Sequence, residues 1–120
     1  MSVYQNRIVV KVGTSTLMNE LNRSDLRTIE RLCRTLSDIH NSGLEVILVS
    51  SGAIAFGSGK LNLKKKPESI REKQAAAAVG QCSMLYLYDR FFGDYEATIA
   101  QILLSGDALE QEAKRENLLN

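Results

Sequence analysis

Tryptophan is absent from this 120-residue chain, proline and histidine occur once each, and cysteine twice. The single histidine, His40, falls close to a predicted helix end, so a nucleophile–histidine–acid triad has no support. Cys33 and Cys82 sit in apolar helical contexts without metal-ligand spacing. They read as reduced core residues of a cytosolic protein rather than as a disulfide framework. No cluster of His, Cys, Asp or Glu carries metal-ligand spacing either. The formal net charge is only +1, so nothing in the overall balance calls for a nucleic-acid or membrane partner. No apolar run reaches membrane-spanning length and residues 1–6 lack a signal-peptide pattern, which predicts a cytoplasmic protein. Internal repeats and low-complexity tracts are missing as well. What is present, 44% hydrophobic and 24% charged residues, is the make-up of one modest globular domain with a real core.

Residues 7–12 read as a buried parallel-type strand, apolar on both faces. Residues 24–41 read as a helix in which Leu26, Ile29, Leu32, Cys33, Leu36 and Ile39 make one apolar stripe. Ser24 is placed to cap it, with Asp25 in the first turn, and Gly43 sits where a helix C-cap belongs. Residues 44–49 form a second apolar, β-branched strand, giving a parallel βαβ unit. A short helix follows, and residues 58–66, with Lys60, Lys64, Lys65 and Lys66, read as a solvated basic loop. Pro67 suits the first position of a long helix over 68–92, with Gly93 as its stop. The stretch from Ala75 to Gly80 has almost no side-chain bulk, which suits close packing against another helix. Gly57 and Gly59 read as simple punctuation. Residues 96–104 read as a third strand, and Asp107 with Glu110 resembles a capping box for a further helix. The order β-α-β-α-α-β-α predicts an α/β layered fold.

Two turns stand out. After the first strand come Lys11, Gly13, Thr14 and Ser15, a cation followed by a flexible, donor-rich loop. Gly13 lacks a Cβ, so its backbone can approach a ligand, while Lys11 supplies a point charge and Thr14 and Ser15 supply hydroxyls. By itself the segment is equally an ordinary strand-to-loop turn or a phosphate cradle. After the second strand comes Ser51-Gly52-Ala53, opening a helix whose N-terminus suits an anion. Ligands of open parallel sheets bind outside the carboxyl ends of the strands. Two small-residue turns on that same edge would face one crevice. The chain lacks a G-x-x-x-x-G-K-[ST] loop and a G-x-G-x-x-G fingerprint after its first strand.

Four ordered segments resemble the glutamate 5-kinase family of the amino-acid kinase superfamily. They are Lys11-Val12-Gly13-Thr14-Ser15-Thr16-Leu17, the run from Ser51 to Gly57, the run from Lys73 to Gln81, and Gln101-Ile102-Leu103-Leu104. The resemblance covers essentially the whole chain. It implies a three-layer α/β/α sandwich around a mainly parallel sheet. It also implies ATP- and Mg²⁺-dependent phosphorylation of the side-chain carboxylate of L-glutamate, the first step of proline biosynthesis. Under that resemblance Lys11 touches the transferring phosphoryl group and Gly13, Thr14 and Ser15 line the phosphate loop. Ser51, Gly52 and Ala53 then help to hold glutamate.

The family's kinase domain is about twice as long as this chain. Residues 1–120 are therefore expected to be its N-terminal, substrate-side half, with the ATP-binding half and any PUA domain outside them. The second catalytic lysine, the organising aspartate and the adenine pocket have no counterpart here. A sheet cut after three strands would expose an edge and one face, and the isolated chain is expected to be inactive. A homo-oligomer is implied for the full-length form. Two other readings stay open: a related phosphotransferase such as an isopentenyl phosphate kinase, and a non-catalytic fragment that self-associates through its alanine-rich helix.

Overall fold

The computed structural model describes residues 6–21 and 23–102. Strand β1, Arg7–Val12, is followed by a four-residue helix α1, Thr14–Leu17, and by helix α2, Leu26–Asn41. Strand β2, Glu45–Ser50, leads into helix α3, Ala53–Lys60, and then into the long helix α4, Ile70–Gly93. The two strands pair in parallel, with Arg7 beside Glu45, Lys11 beside Val49 and Val12 beside Ser50. The βαβ unit expected from the sequence is therefore present.

Strand parity decides what is buried. Val10, Val12, Val46 and Leu48 face a core built from Ile29, Cys33 and Leu36 of α2 and Met84, Tyr88, Phe91 and Phe92 of α4. A fully buried side chain such as Ile29 or Leu17 contributes roughly 1.5–3 kcal/mol. The opposite face is bare: Val9 is 60% exposed, Ile47 42% and Val49 46%. The first strand was expected to be apolar and buried on both sides. Instead, among the described residues, helices cover one face of a two-stranded sheet, and a third layer is not seen. At the far end of the bare face Arg7 and Glu45 form an ion pair at 2.8 Å.

Several boundaries differ from expectation for identifiable reasons. The cap of α2 is Asp25, whose carboxylate accepts from the Thr28 N–H at 3.2 Å, while Ser24 pairs with Met18 in an isolated bridge. Ser69 starts α4 by accepting from the Glu72 N–H at 3.1 Å, so Pro67 lies before the helix rather than in its first position. Gly43, at φ +106°, ends α2 in the left-handed conformation expected of a C-terminal glycine. Cys33 is fully buried, and burial with the nearby Glu30 charge pushes its thiol from 9.0 up to about 12. Cys82 is exposed, contrary to its expected core position, and both thiols are free.

The third strand does not form over residues 97–102. Glu96 takes a left-handed φ of +59°, and the N–H groups of Glu96 and Ala97 return to Gly93 and Phe92. The chain is thus still completing the end of α4 where a strand was expected to begin. Ala97 and Ile99 then pack against the core, but the segment makes no ladder with β2 among the described residues. A cavity of about 880 Å³ lies there, lined by Val46, Leu48, Ser37, Met84, Tyr88 and Ile99 among others. The Ser37 hydroxyl is buried without a hydrogen-bond partner among the described residues. The rest of the expected strand, and the helix expected near Asp107 and Glu110, lie outside the described residues.

Candidate functional site

The carboxyl ends of β1 and β2 are in register, so both small-residue turns leave the sheet side by side. Val12 and Ser50 are partners, and the Ser51 N–H continues the ladder by donating to the Val12 carbonyl at 3.2 Å. The Ser51 hydroxyl reaches the same carbonyl at 3.4 Å. One residue further on the turns touch. A Cβ on Gly52 would stand 3.2 Å from Thr14 Oγ1. The two loops therefore meet at one point, as their shared sheet edge predicts.

Their glycines do different work. Gly52 has φ +109° and ψ 5°, a left-handed conformation that costs a residue with a Cβ about 1–2 kcal/mol. Gly13 has φ −94° and ψ 169°, which any residue adopts, and a Cβ there would meet nothing within 4 Å. The backbone freedom expected of Gly13 is not used; what its missing side chain provides is open space.

Each glycine is also a helix cap. Gly13 precedes α1 and Gly52 precedes α3, and neither helix start has a side-chain cap. In both, a later backbone N–H turns back to the glycine carbonyl: Thr16 to Gly13 at 3.1 Å and Phe56 to Gly52 at 2.9 Å. The helix α1 was not foreseen in the loop after Lys11. The signal for it was Thr14-Ser15-Thr16 ahead of Leu17, whose side chain is fully buried and anchors the turn.

Lys11 lies next to these turns but on the bare face of the sheet, beside Val49 and exposed. Its parity is opposite to that of Val12, whose side chain enters the core. Ser15 and Ser51 are exposed, and Thr14, Gly52 and Ala53 are half-buried. The structure thus brings Gly13, Thr14, Ser51, Gly52 and Ala53 together at one edge, with Lys11 one residue before it on β1. Among the described residues no group of three or more His, Cys, Asp or Glu could hold a metal ion.

Two supporting features were not singled out from the sequence. Ser50, at the core-facing end of β2, lies 2.8 Å from the Tyr88 hydroxyl and donates to Met84 Sδ at 3.5 Å. Burial pushes the Tyr88 phenol above its ordinary value, so it stays protonated at neutral pH. The polar residue ending an apolar strand at a core position was the available signal. The second feature is Gly57, read as punctuation, where a Cβ would stand 1.6 Å from the Ala76 carbonyl oxygen. It is a contact glycine, and it meets the small-residue run of α4 that was expected to pack closely.

Parallel strands joined by a helix, with further helices starting at their carboxyl ends, define an α/β domain. The amino acid kinase family matches residues 6–120, and the chain belongs to that family. Within it the chain is similar to glutamate 5-kinases. It is 59% identical over 114 residues to the glutamate 5-kinase of Clostridium perfringens. It is 51% identical over 114 residues to that of Listeria innocua, and 54% identical over 113 residues to that of Clostridium tetani. These matches take in 94–95% of this chain but only 41–42% of each relative. The chain thus spans about two fifths of the length of the relatives it matches. Among the described residues no helix is long and apolar enough to cross a membrane.

Proposed function

We propose that these residues form the glutamate side of a glutamate 5-kinase, which transfers the γ-phosphoryl group of ATP to the side-chain carboxylate of L-glutamate. The product is L-glutamyl 5-phosphate, and the reaction opens proline biosynthesis in the cytoplasm. The observation that supports this best is the close approach of Gly52 to Thr14, where an added Cβ would stand 3.2 Å from Thr14 Oγ1, so that the two turns lie side by side. The choice of acceptor rests on the names carried by the relatives.

In this reading the chemistry is positioning and charge stabilisation. A phosphoryl group in flight spreads negative charge over its equatorial oxygens, and no covalent nucleophile on the protein is needed. Gly13, Thr14 and Ser15 offer backbone amides and hydroxyls at an uncapped helix start, and Gly13 leaves room for phosphate to approach. Lys11 is the catalytic cation, reaching the transferring group from the end of β1. Ser51, Gly52 and Ala53 bind glutamate at the start of α3, where amides and dipole favour a carboxylate. Mg²⁺, which the family resemblance implies, finds no group of three or more His, Cys, Asp or Glu to hold it among the described residues.

In this reading residues 1–120 supply the substrate-side half, and the full-length enzyme works as a homo-oligomer. The isolated chain is expected to show no ATP turnover. The test completes the chain with the C-terminal remainder of the Clostridium perfringens relative, chosen because the two are 59% identical in the shared part. That enzyme should phosphorylate glutamate and not isopentenyl phosphate. Transfer to isopentenyl phosphate, or none to glutamate, would overturn the reading.

A further inference from the structure

Helices α3 and α4 cross so closely that neither Gly57 nor Gly80 has room for a side chain. A Cβ on Gly80 would stand 1.6 Å from the Ala53 carbonyl oxygen, 2.5 Å from the Gly57 nitrogen and 2.7 Å from the Ala53 carbonyl carbon. Gly57 returns the contact, since a Cβ there would stand 1.6 Å from the Ala76 carbonyl oxygen. Both glycines lie inside helices, so space and not backbone conformation is what they provide. The atoms they would strike are backbone, which cannot swing aside as a side chain does.

The position of the struck atom matters. Ala53 is the first residue of α3, and its neighbour Gly52 is the left-handed cap that touches Thr14. Any side chain at 80 must push Ala53 away from α4, and Gly52 moves with it. Ser51 is held at its other end by the Val12 carbonyl, so the displacement falls on the turn itself. The same Cβ would stand 2.5 Å from the Gly57 nitrogen, four residues after Ala53, so the push falls on the whole first turn of α3.

We propose that Gly80 is a positioning residue: by lacking a side chain it lets α4 set the place of Ala53, and so the geometry of the Ser51-Gly52-Ala53 turn. This rests on the reading of that turn as the glutamate site, and it assigns to Gly80 a role in acceptor binding without contact to the acceptor. A contact that merely stabilised the fold would act on the amount of folded enzyme and leave the glutamate KM alone.

The experiment compares Gly80→Ala with the core substitution Leu36→Ala in the completed enzyme, recording melting temperature and the KM values for glutamate and ATP. Leu36 is buried in α2, away from the turn, and serves as the measure of destabilisation alone. Gly80→Ala should raise the glutamate KM about tenfold or more with the ATP KM nearly unchanged, since small misplacements of a binding group act strongly. Leu36→Ala should lower the melting temperature with both KM values unchanged. A folded Gly80→Ala enzyme with the original glutamate KM overturns the proposal. If Gly80→Ala does not fold, Gly57→Ala drives the same helix from its other contact and is scored by the same KM criterion. Failure of both to fold makes the contact a folding requirement and also overturns it. An unsubstituted completed enzyme that ignores glutamate would sink the functional reading, and this inference with it, whereas an active one with an indifferent Gly80 would sink the inference alone.

Discussion

Helices α2 and α4 begin on side chains that serve their own first amides. Asp25 accepts from the Thr28 N–H at 3.2 Å and Ser69 from the Glu72 N–H at 3.1 Å. Helices α1 and α3 begin on Gly13 and Gly52, which have no side chain to offer. A helix start leaves several N–H groups without an intrahelical partner, and something must satisfy them. The two helices that supply most of the core do this internally. The two that leave the carboxyl edge of the sheet do not, and their starts approach each other at Thr14 and Gly52. Under the proposed function, support and site are separated by how a helix begins.

The comparison breaks most visibly at Lys11. If the uncapped starts hold anionic groups during transfer, Lys11→Ala should lower turnover of the completed enzyme by about 10²–10³-fold, or about 2.7–4 kcal/mol of transition-state stabilisation. The glutamate KM should change far less. A variant with near-normal turnover would remove Lys11 from the reaction and leave the bare helix starts without their cation.

Gly52 comes next. Its φ of +109° is unfavourable for any residue with a Cβ, and that Cβ would also crowd Thr14 Oγ1 at 3.2 Å. Gly52→Ala should therefore destabilise the protein by about 1–2 kcal/mol, read as a lower urea midpoint at unchanged slope. An unchanged midpoint would mean that the turn adapts freely and that the two loops are not locked together.

These contrasts also show what the sequence could reveal. The βαβ unit was legible because β-branched runs and one apolar helical stripe act locally and repeat. The meeting of the two turns was legible because parallel strands send their carboxyl ends to one edge. The distinct uses of Gly13 and Gly52 were not legible, since sequence shows only that a side chain is missing. Gly57 was misread for the same reason: a contact with Ala76, nineteen positions away by number, decides its role. Cys82 and the unpaired residues 97–102 depend on what lies opposite them in space. The bare face was partly legible, since Arg7, Lys11 and Glu45 alternate on it with Val9, Ile47 and Val49, whereas the covered face carries no charge.

On the supporting side, Ser69→Ala should cost about 1 kcal/mol of stability, within the usual 0.5–2 kcal/mol for a lost cap, and leave turnover per folded molecule unchanged. Asp25 offers a version that pH can read. Its hydrogen bonds from Thr28 hold the carboxyl below its ordinary 3.8. The stabilisation is therefore complete above the unfolded value and is lost as pH falls through the lower folded value. Acid titration of stability should flatten in Asp25→Asn relative to the parent. Equal acid slopes in the two proteins would show that the Asp25 cap is replaceable by solvent.

The smallest effect on stability is expected at Gly13, where it is also the most telling. An alanine fits φ −94° and ψ 169°, and its Cβ would enter space with nothing within 4 Å. Gly13→Ala should leave stability unchanged or raise it by about 0.4–1 kcal/mol, because alanine restricts the unfolded chain. Gly13→Asp should likewise be tolerated, since aspartate is a favoured cap and would satisfy the first amides of α1 from within the chain. Both variants should nonetheless raise the ATP KM, and Gly13→Asp the more, because its carboxylate occupies the amides and repels phosphate. Such a protein would have three helices that begin on a side-chain cap, leaving α3 as the one of the four described that does not. Stable folding with full activity in Gly13→Asp would show that the bare start of α1 holds no phosphate, and the division between supporting and site helices would then rest on α3 alone.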